Sequence, residues 1–294
     1  MTFLPLFDLT DGDTPRTRRL SMLGLELKPT HVRAALVERD KVVRRQELAL
    51  EPDSRPDVVL DAIVRAASAL DAAPKMAGLA IPGEVDGHGR CWGLPALPGF
   101  DGVYIAEELA ARLGCPVSIE SDGQSATLAE LLHGRGRGHA SLLCLQLAER
   151  LSAGLVIDGQ LRRGRSGFGA SVAHLCIDSS DAALPCACGR RGCLAAYGKL
   201  PAGVTAAELE ALADALGKGL ALVQNMLDLD AITVVAPPGV FRSLEPKLRD
   251  SFRANVFGAA AGEVPLLESV LGADAVLIGA AELALRGLAE NVSG

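Results

Sequence analysis

The residues best equipped for chemistry lie between His174 and Cys193, in the stretch HLCIDSSDAALPCACGRRGC. Cys186, Cys188 and Cys193 fall within eight residues, and His174 sits upstream at the end of an apolar, strand-like run. Three thiolates and one imidazole are the donor set of a tetrahedral structural Zn²⁺. Gly189 and Gly192 let the chain turn back tightly enough for three sulfurs to reach one ion. The competing reading is a cluster of buried or oxidisable cysteines, and the histidine that completes the ligand count favours metal. Cys91, Cys115 and Cys144 have no partner pattern and read as packing residues, as does Cys176, whose period-two spacing from His174 leaves an auxiliary contact open.

The elements that must hold this stretch follow from the rest of the chain. Its 294 residues are enough for one large or two medium domains. Hydrophobic residues make up 49% of them and aromatics only 3%, so the core is aliphatic and the chain globular. A net charge of −7 and a pI near 5.3 exclude a whole-surface nucleic-acid binder. Seven cysteines, an odd number, fit a reducing cytoplasm in which the clustered ones hold metal. The longest apolar segments are broken by Glu149, Arg150, Glu268, Asp274 and Glu282, which excludes membrane spans.

Residues 1–20 read as a flexible N-terminal tail ending in a basic run, Arg16, Arg18 and Arg19. From Ser21 the pattern predicts three antiparallel strands, then a helix opened by Pro56, a buried strand AGLAIPGEVDG, a helix closed by Gly114, a strand PVSIESDG and a helix from about Gln124 to Gly134. The second half repeats the plan: a meander over SLLCLQL, AGLVIDGQ and LRRG, a strand AHLCID, a helix over TAAELEALADALGKGLALVQNMLDLD, a buried strand AITVV, a helix SLEPKLRDSFRANVF and a closing Ala-rich helix. This predicts an α/β protein of two domains with a cleft between them, 21–136 and 137–294, with the last helix packing back on the first domain.

Four stretches resemble the ROK family of repressors, open reading frames and sugar kinases. They are IPGEVDGHGRCWGLPALPGF with the helix and strand that follow, LVIDGQLRRGRSGFGASVAH, the CACGRRGC signature, and GADAVLIGAAELAL. The resemblance implies the actin-like, ribonuclease-H-like two-domain fold, usually in dimers or tetramers, and a zinc held by His174, Cys186, Cys188 and Cys193. It implies that Asp122, in Glu120-Ser121-Asp122, stands where kinases carry the base that takes the sugar hydroxyl proton. A carboxylate at a strand end can do that work, and can equally cap the helix behind it.

Around Asp122 the chain departs from the family pattern. The family's sugar-binding Asn, Asn, Glu, Gly and Glu correspond to Ala96, Ser121, Ser171, Ala173 and Ala195, with Phe100 at the aromatic position, leaving Asp122 and His174 of the hydroxyl-facing set. Each lost hydrogen bond is worth roughly 1 kcal/mol or more. The first phosphate loop becomes Glu26-Leu27-Lys28-Pro29-Thr30, the second Ala148-Glu149-Arg150-Leu151-Ser152, and the adenosine turn Ala236-Pro237-Pro238-Gly239. Proline donates no N–H and Glu149 opposes phosphate charge, which argues against ATP and Mg²⁺. The stretch from Tyr197 to Ala211 is shorter than in the family, which predicts a more open cleft.

The expectation is therefore a ROK-family protein with degenerate sugar and ATP sites: a non-catalytic effector domain of a transcriptional regulator, or a pseudokinase, braced by zinc. A small sugar is its expected ligand and a homodimer or tetramer its expected assembly. DNA binding by this chain alone is not expected, because family repressors carry a winged helix ahead of the first strand. The alternative is an ATP-dependent kinase of glucose or an N-acetyl amino sugar with divergent loops.

Overall fold

The computed structural model describes residues 21–292 apart from 95, 98, 199–204 and 259–260. The basic run Arg16, Arg18 and Arg19 lies outside the described residues, as does part of the shortened Tyr197–Ala211 stretch.

The chain builds the same sheet twice. The first contains β1 (Met22–Leu27), β2 (His31–Glu38) and β3 (Lys41–Ala49) as an antiparallel meander. Helix α1 (Pro56–Ser68) then returns the chain to β4 (Ala77–Ile81), parallel to β1. A small hairpin, β5 (Glu84–Val85) with β6 (Cys91–Trp92), and helix α2 (Ile105–Leu113) lead to β7 (Val117–Ser121), parallel to β4. The order is β3-β2-β1-β4-β7.

Helix α3 (Asp122–His133) crosses to the second sheet. There β8 (Leu142–Leu147), β9 (Leu151–Ile157) and β10 (Gln160–Leu161) form the meander. After a short α4 (Leu194–Tyr197), helix α5 (Ala206–Leu227) leads to β11 (Ala231–Val235). Helix α6 (Val240–Asn255) leads to β12 (Leu266–Glu268), and α7 (Ala275–Val292) closes the chain. The order is β10-β9-β8-β11-β12, with β8, β11 and β12 parallel.

Composition explains the placement. MLGLEL, AGLAI, LLCLQL and AITVV are buried at every position, as strands covered on both faces must be. β3 carries Lys41, Arg44 and Arg45 and is largely exposed, and a charged edge resists pairing with other chains. In α1, Pro56 supplies the fixed φ of a first helical residue and Val59, Leu60, Ile63, Ala66 and Ala67 form the buried stripe. A capping box between Thr205 and Glu208 opens α5. Among the described residues, no helix is long and apolar enough to cross a membrane.

Helices α3 and α7 pack together, α7 lying on β1 and β4 and α3 against β8 and β9. These contacts run backbone to backbone. A Cβ on Gly78 would sit 1.7 Å from the Ala280 carbonyl oxygen, and one on Gly279 would sit 1.7 Å from that of Ser125. On the other side of α3, a Cβ on Gly123 would sit 2.5 Å from the oxygen of Ala153 in β9.

The structure corrects three local expectations. AHLCID is not a strand: Val172–His174 is a single 3₁₀ turn, and Cys176 bridges only to Cys193. The backbone here pairs with the cysteine loop instead of a sheet. Cys176 is exposed, not core, with its thiol 3.4 Å from the Asp178 carbonyl oxygen. The residue that caps α3 is Ser121, whose Oγ accepts from Gln124 N–H, while Asp122 is the first helical residue.

Candidate functional site

The cysteine knuckle is shaped by hydrogen bonds among its own backbone groups. Gly189 N–H donates to the Cys186 carbonyl at 3.0 Å and Cys186 N–H to the Arg190 carbonyl at 2.8 Å. Gly189 and Gly192 take φ of 85° and 74°, conformations that side chains resist. A Cβ on Gly192 would also collide with the Asp178 carbonyl oxygen at 1.7 Å. Tyr197 buttresses the loop from behind, donating to Asp178 Oδ2 at 2.6 Å and accepting from Leu184 N–H at 3.2 Å.

The donor atoms of His174, Cys186, Cys188 and Cys193 all lie within 4.8 Å of one another. Cys186 Sγ is 3.7 Å from His174 Nδ1, and Cys188 Sγ is 3.7 Å from Cys193 Sγ. A tetrahedron with zinc–sulfur arms of ~2.3 Å has edges of about 3.8 Å, so these two edges match the ion. The Arg190 backbone N–H pulls the Cys188 thiol down to about 7, towards the thiolate that binds metal. Burial lowers the His174 pKa, favouring the neutral ring that metal requires. The cluster is consistent with a zinc site.

Beside it opens a cavity of about 340 Å³, at the lower end of the ~300–1,000 Å³ range of small-molecule sites. It lies between the ends of β7 and β9 and is floored by Asp122. Ser121, Ser171, Ala173 and Ala195, the positions where the sequence departs from the sugar-binding pattern, line it together with His174. Phe100 does not: it is fully buried in the first core. Ala96 is not among the lining residues either.

Asp122 points its charge into a crowd of acids. Burial raises its pKa, opposed chiefly by Arg150, whose guanidinium stands 3.9 Å away. Glu120, one strand residue below, is buried and paired with Arg163 at 2.5 Å. Glu26 is buried and held by Arg33 at 2.6 Å and Lys28 at 3.4 Å. Burial is the largest influence on both acids and raises their pKa. The Nε of Arg150 is buried without a hydrogen-bond partner.

The turn joining β8 to β9 decides what can approach Asp122. Ala148 N–H donates to the Arg150 carbonyl at 3.2 Å, closing the turn tightly. Its two side chains, Glu149 and Arg150, line the cavity. Sequence reasoning treated both as a lost phosphate loop, and their place on the cavity wall emerges only in the fold. It also missed Glu84 and Asp101, which line the same cavity. Glu84 sits inside IPGEVDG, a stretch that reads as strand and loop, with no spacing to signal a binding acid.

Twin sheets of this order, a carboxylate at the head of α3 and the adjacent His–Cys₃ cluster define the class. The ROK family profile matches residues 22–199, and the chain belongs to the ROK family. It is similar to a ROK glucokinase from Streptomyces griseus bound to glucose and AMPPNP, with TM-score 0.78 and 25% identity, covering 91% of this chain and 100% of that one. A ROK transcriptional regulator homologous to the E. coli MLC protein shares the fold, with TM-score 0.74 and 21% identity, covering 90% of this chain and 78% of that one. In sequence the chain is 32% identical to the glucokinase of Thermotoga maritima over 60% of its own length and 57% of that protein's. It is 26% identical to the Streptomyces coelicolor glucokinase over 87% and 80%, and 23% identical to the Bacillus subtilis xylose repressor over 65% and 54%. Relatives of both kinds therefore stand beside it.

Proposed function

We propose that this chain is a non-catalytic, zinc-braced sugar receptor, the effector domain of a transcriptional regulator or a pseudokinase. The observation that carries this reading is the β8–β9 turn. Phosphoryl transfer needs donors and cations gathered around the incoming phosphate. Here Glu149 brings a carboxylate to the cavity wall, and Arg150 is engaged with Asp122. Lys28-Pro29-Thr30 between β1 and β2 likewise offers no glycine for close backbone approach. The net charge of −7 speaks against DNA as a ligand of this chain alone.

His174, Cys186, Cys188 and Cys193 would hold a structural zinc, whose role is to fix the cavity wall that carries Ser171 to His174. Elemental analysis of protein purified without added metal should give about one zinc per chain, and a small fraction of one would refute the assignment. Leu222, Met226 and Phe257, exposed where Asn225 Nδ2 bonds to the Asn255 carbonyl, support assembly into a homo-oligomer.

The decisive experiment is a coupled assay for ATP-dependent phosphorylation of hexoses and N-acetyl amino sugars, run beside calorimetric titration with the same sugars. The expected result is sugar binding without turnover. Turnover that disappears in Asp122→Asn would overturn the reading in favour of a kinase. One observation favours that rival: Asp122 opens the cavity from the head of α3, with the ring of His174 lining the same wall.

A further inference from the structure

Glu84 is one of two acids on the cavity wall that the sequence does not single out. It lies on β5, opposite Trp92 of β6, and the preceding residue pins its backbone. A Cβ on Gly83 would sit 2.5 Å from the Trp92 carbonyl oxygen and 2.8 Å from the Leu94 side chain. From this fixed base the carboxylate crosses the cleft. Ser171, on the loop after β10, donates its Oγ to Glu84 Oε1 at 3.0 Å. Ser171 is presented by Ala170, a non-glycine residue at φ 65°, a conformation that costs energy and recurs where a loop is held for a purpose. Gln124 Nε2 ties that loop to α3 through the carbonyls of Arg162 and Gly169, at 3.2 and 3.3 Å.

Among the described residues, Ser171 is the hydrogen-bond donor to the Glu84 side chain, and Glu84 and Ser171 both line the cavity. We infer that Glu84 and Ser171 form a hydroxyl-reading pair spanning the cleft, which makes Glu84 a specificity-determining residue for a neutral polyhydroxyl ligand. The inference rests on the sugar-receptor reading given above and names a residue that reading does not contain.

The charges around the cavity select the ligand class. Glu84, Asp101, Asp122 and Glu149 outnumber Arg150 around the cavity, and Arg150 is already engaged with Asp122, so the lining opposes an anion. A polyol is tolerated by both sets, because each hydroxyl donates to a carboxylate and accepts from a guanidinium. Burial pushes the Glu84 carboxyl up to about 7, with the Ser171 hydrogen bond opposing it and Asp122 reinforcing it. Near neutral pH this group therefore exists both as donor and as acceptor, which suits a hydroxyl partner.

The test is isothermal titration of the zinc-loaded full chain with D-glucose, N-acetyl-D-glucosamine and D-xylose, in wild type, Glu84→Ala, Glu84→Gln and Ser171→Ala. The expected result is a roughly ten- to hundredfold loss of affinity in Glu84→Ala for the sugar that wild type binds. Glu84→Gln, which keeps the shape and one acceptor, loses less, and Ser171→Ala loses least. Zinc content should stay at the wild-type value and each variant should still unfold cooperatively, and where Glu84→Ala fails to fold the isosteric Gln variant carries the comparison. Affinity within twofold of wild type in both Glu84 variants would overturn the inference while leaving the sugar-receptor reading in place. Wild-type protein that binds none of the three sugars would overturn that reading and this inference with it.

Discussion

The His–Cys₃ knuckle and the floor of the cleft lie side by side but balance their polar groups in opposite ways. In the knuckle, four donors lie within 4.8 Å of one another, where a single zinc would satisfy them together. On the floor, each buried acid is compensated separately, and the compensation thins towards the cavity. Glu26 has two cations, Glu120 has one at 2.5 Å, Asp122 has one at 3.9 Å, and Glu84 has a serine hydroxyl and the more distant charge of Arg150. A buried charge must be paired or protonated. The gradient separates acids that hold the structure from acids left free to meet a ligand.

The harshest way to break this comparison is to remove a knuckle ligand. Cys186→Ser should release the metal and cost on the order of several kcal/mol, since binding energy in such sites is folding energy. Zinc content and calorimetric unfolding check it. The next cut goes to the best-compensated acid. Arg33→Ala leaves Glu26 buried beside Lys28 alone, and should cost about 3 kcal/mol in denaturant titration. Arg163→Ala, whose side chain is 55% exposed, should cost less, about 1 kcal/mol, because solvent already screens that pair. Equal losses in the two arginine variants would erase the gradient.

The mildest test is pH. The folded pKa of Glu84 is about 7, above its unfolded value, so its neutral form favours the folded state. That contribution is complete below the unfolded pKa of about 4.3 and is lost as pH rises through about 7. Glu84→Gln should therefore flatten the stability profile between about pH 5 and 7, read as melting temperature against pH. A profile unchanged by the substitution would place Glu84 in water rather than in the cavity wall.

Much of this was legible in the residues. Apolar runs marked β4 and β11, Pro56 and Gly114 marked helix ends, and the CACGRRGC spacing marked the His–Cys₃ cluster. What stayed hidden has physical causes. Glu84 lies on a two-residue strand, too short for any periodicity, and its partner is 87 positions away. AHLCID has a strand's composition, but its backbone takes its hydrogen bonds from the knuckle rather than from a sheet. Helix α3 has a weak apolar stripe because it is covered all round, and small residues there report close approach rather than a face. The side chains that would have revealed its central place, Gln124, Ser125, Thr127 and Glu130, are polar and buried.

Asp122 is held from both sides by contacts that involve no side-chain fit: Gly123 on the backbone of β9, and Ser125 under Gly279 of α7. A site anchored in this way can exchange the lining around its carboxylate without losing the carboxylate's address. Changes at 84, 149, 150 and 171 would alter the lining of the cavity, while a single methyl group at 123 or 279 would displace the whole floor. In such a scaffold, new ligand preferences can arise by substitution of a few wall residues, and the glycines are the positions that cannot take part.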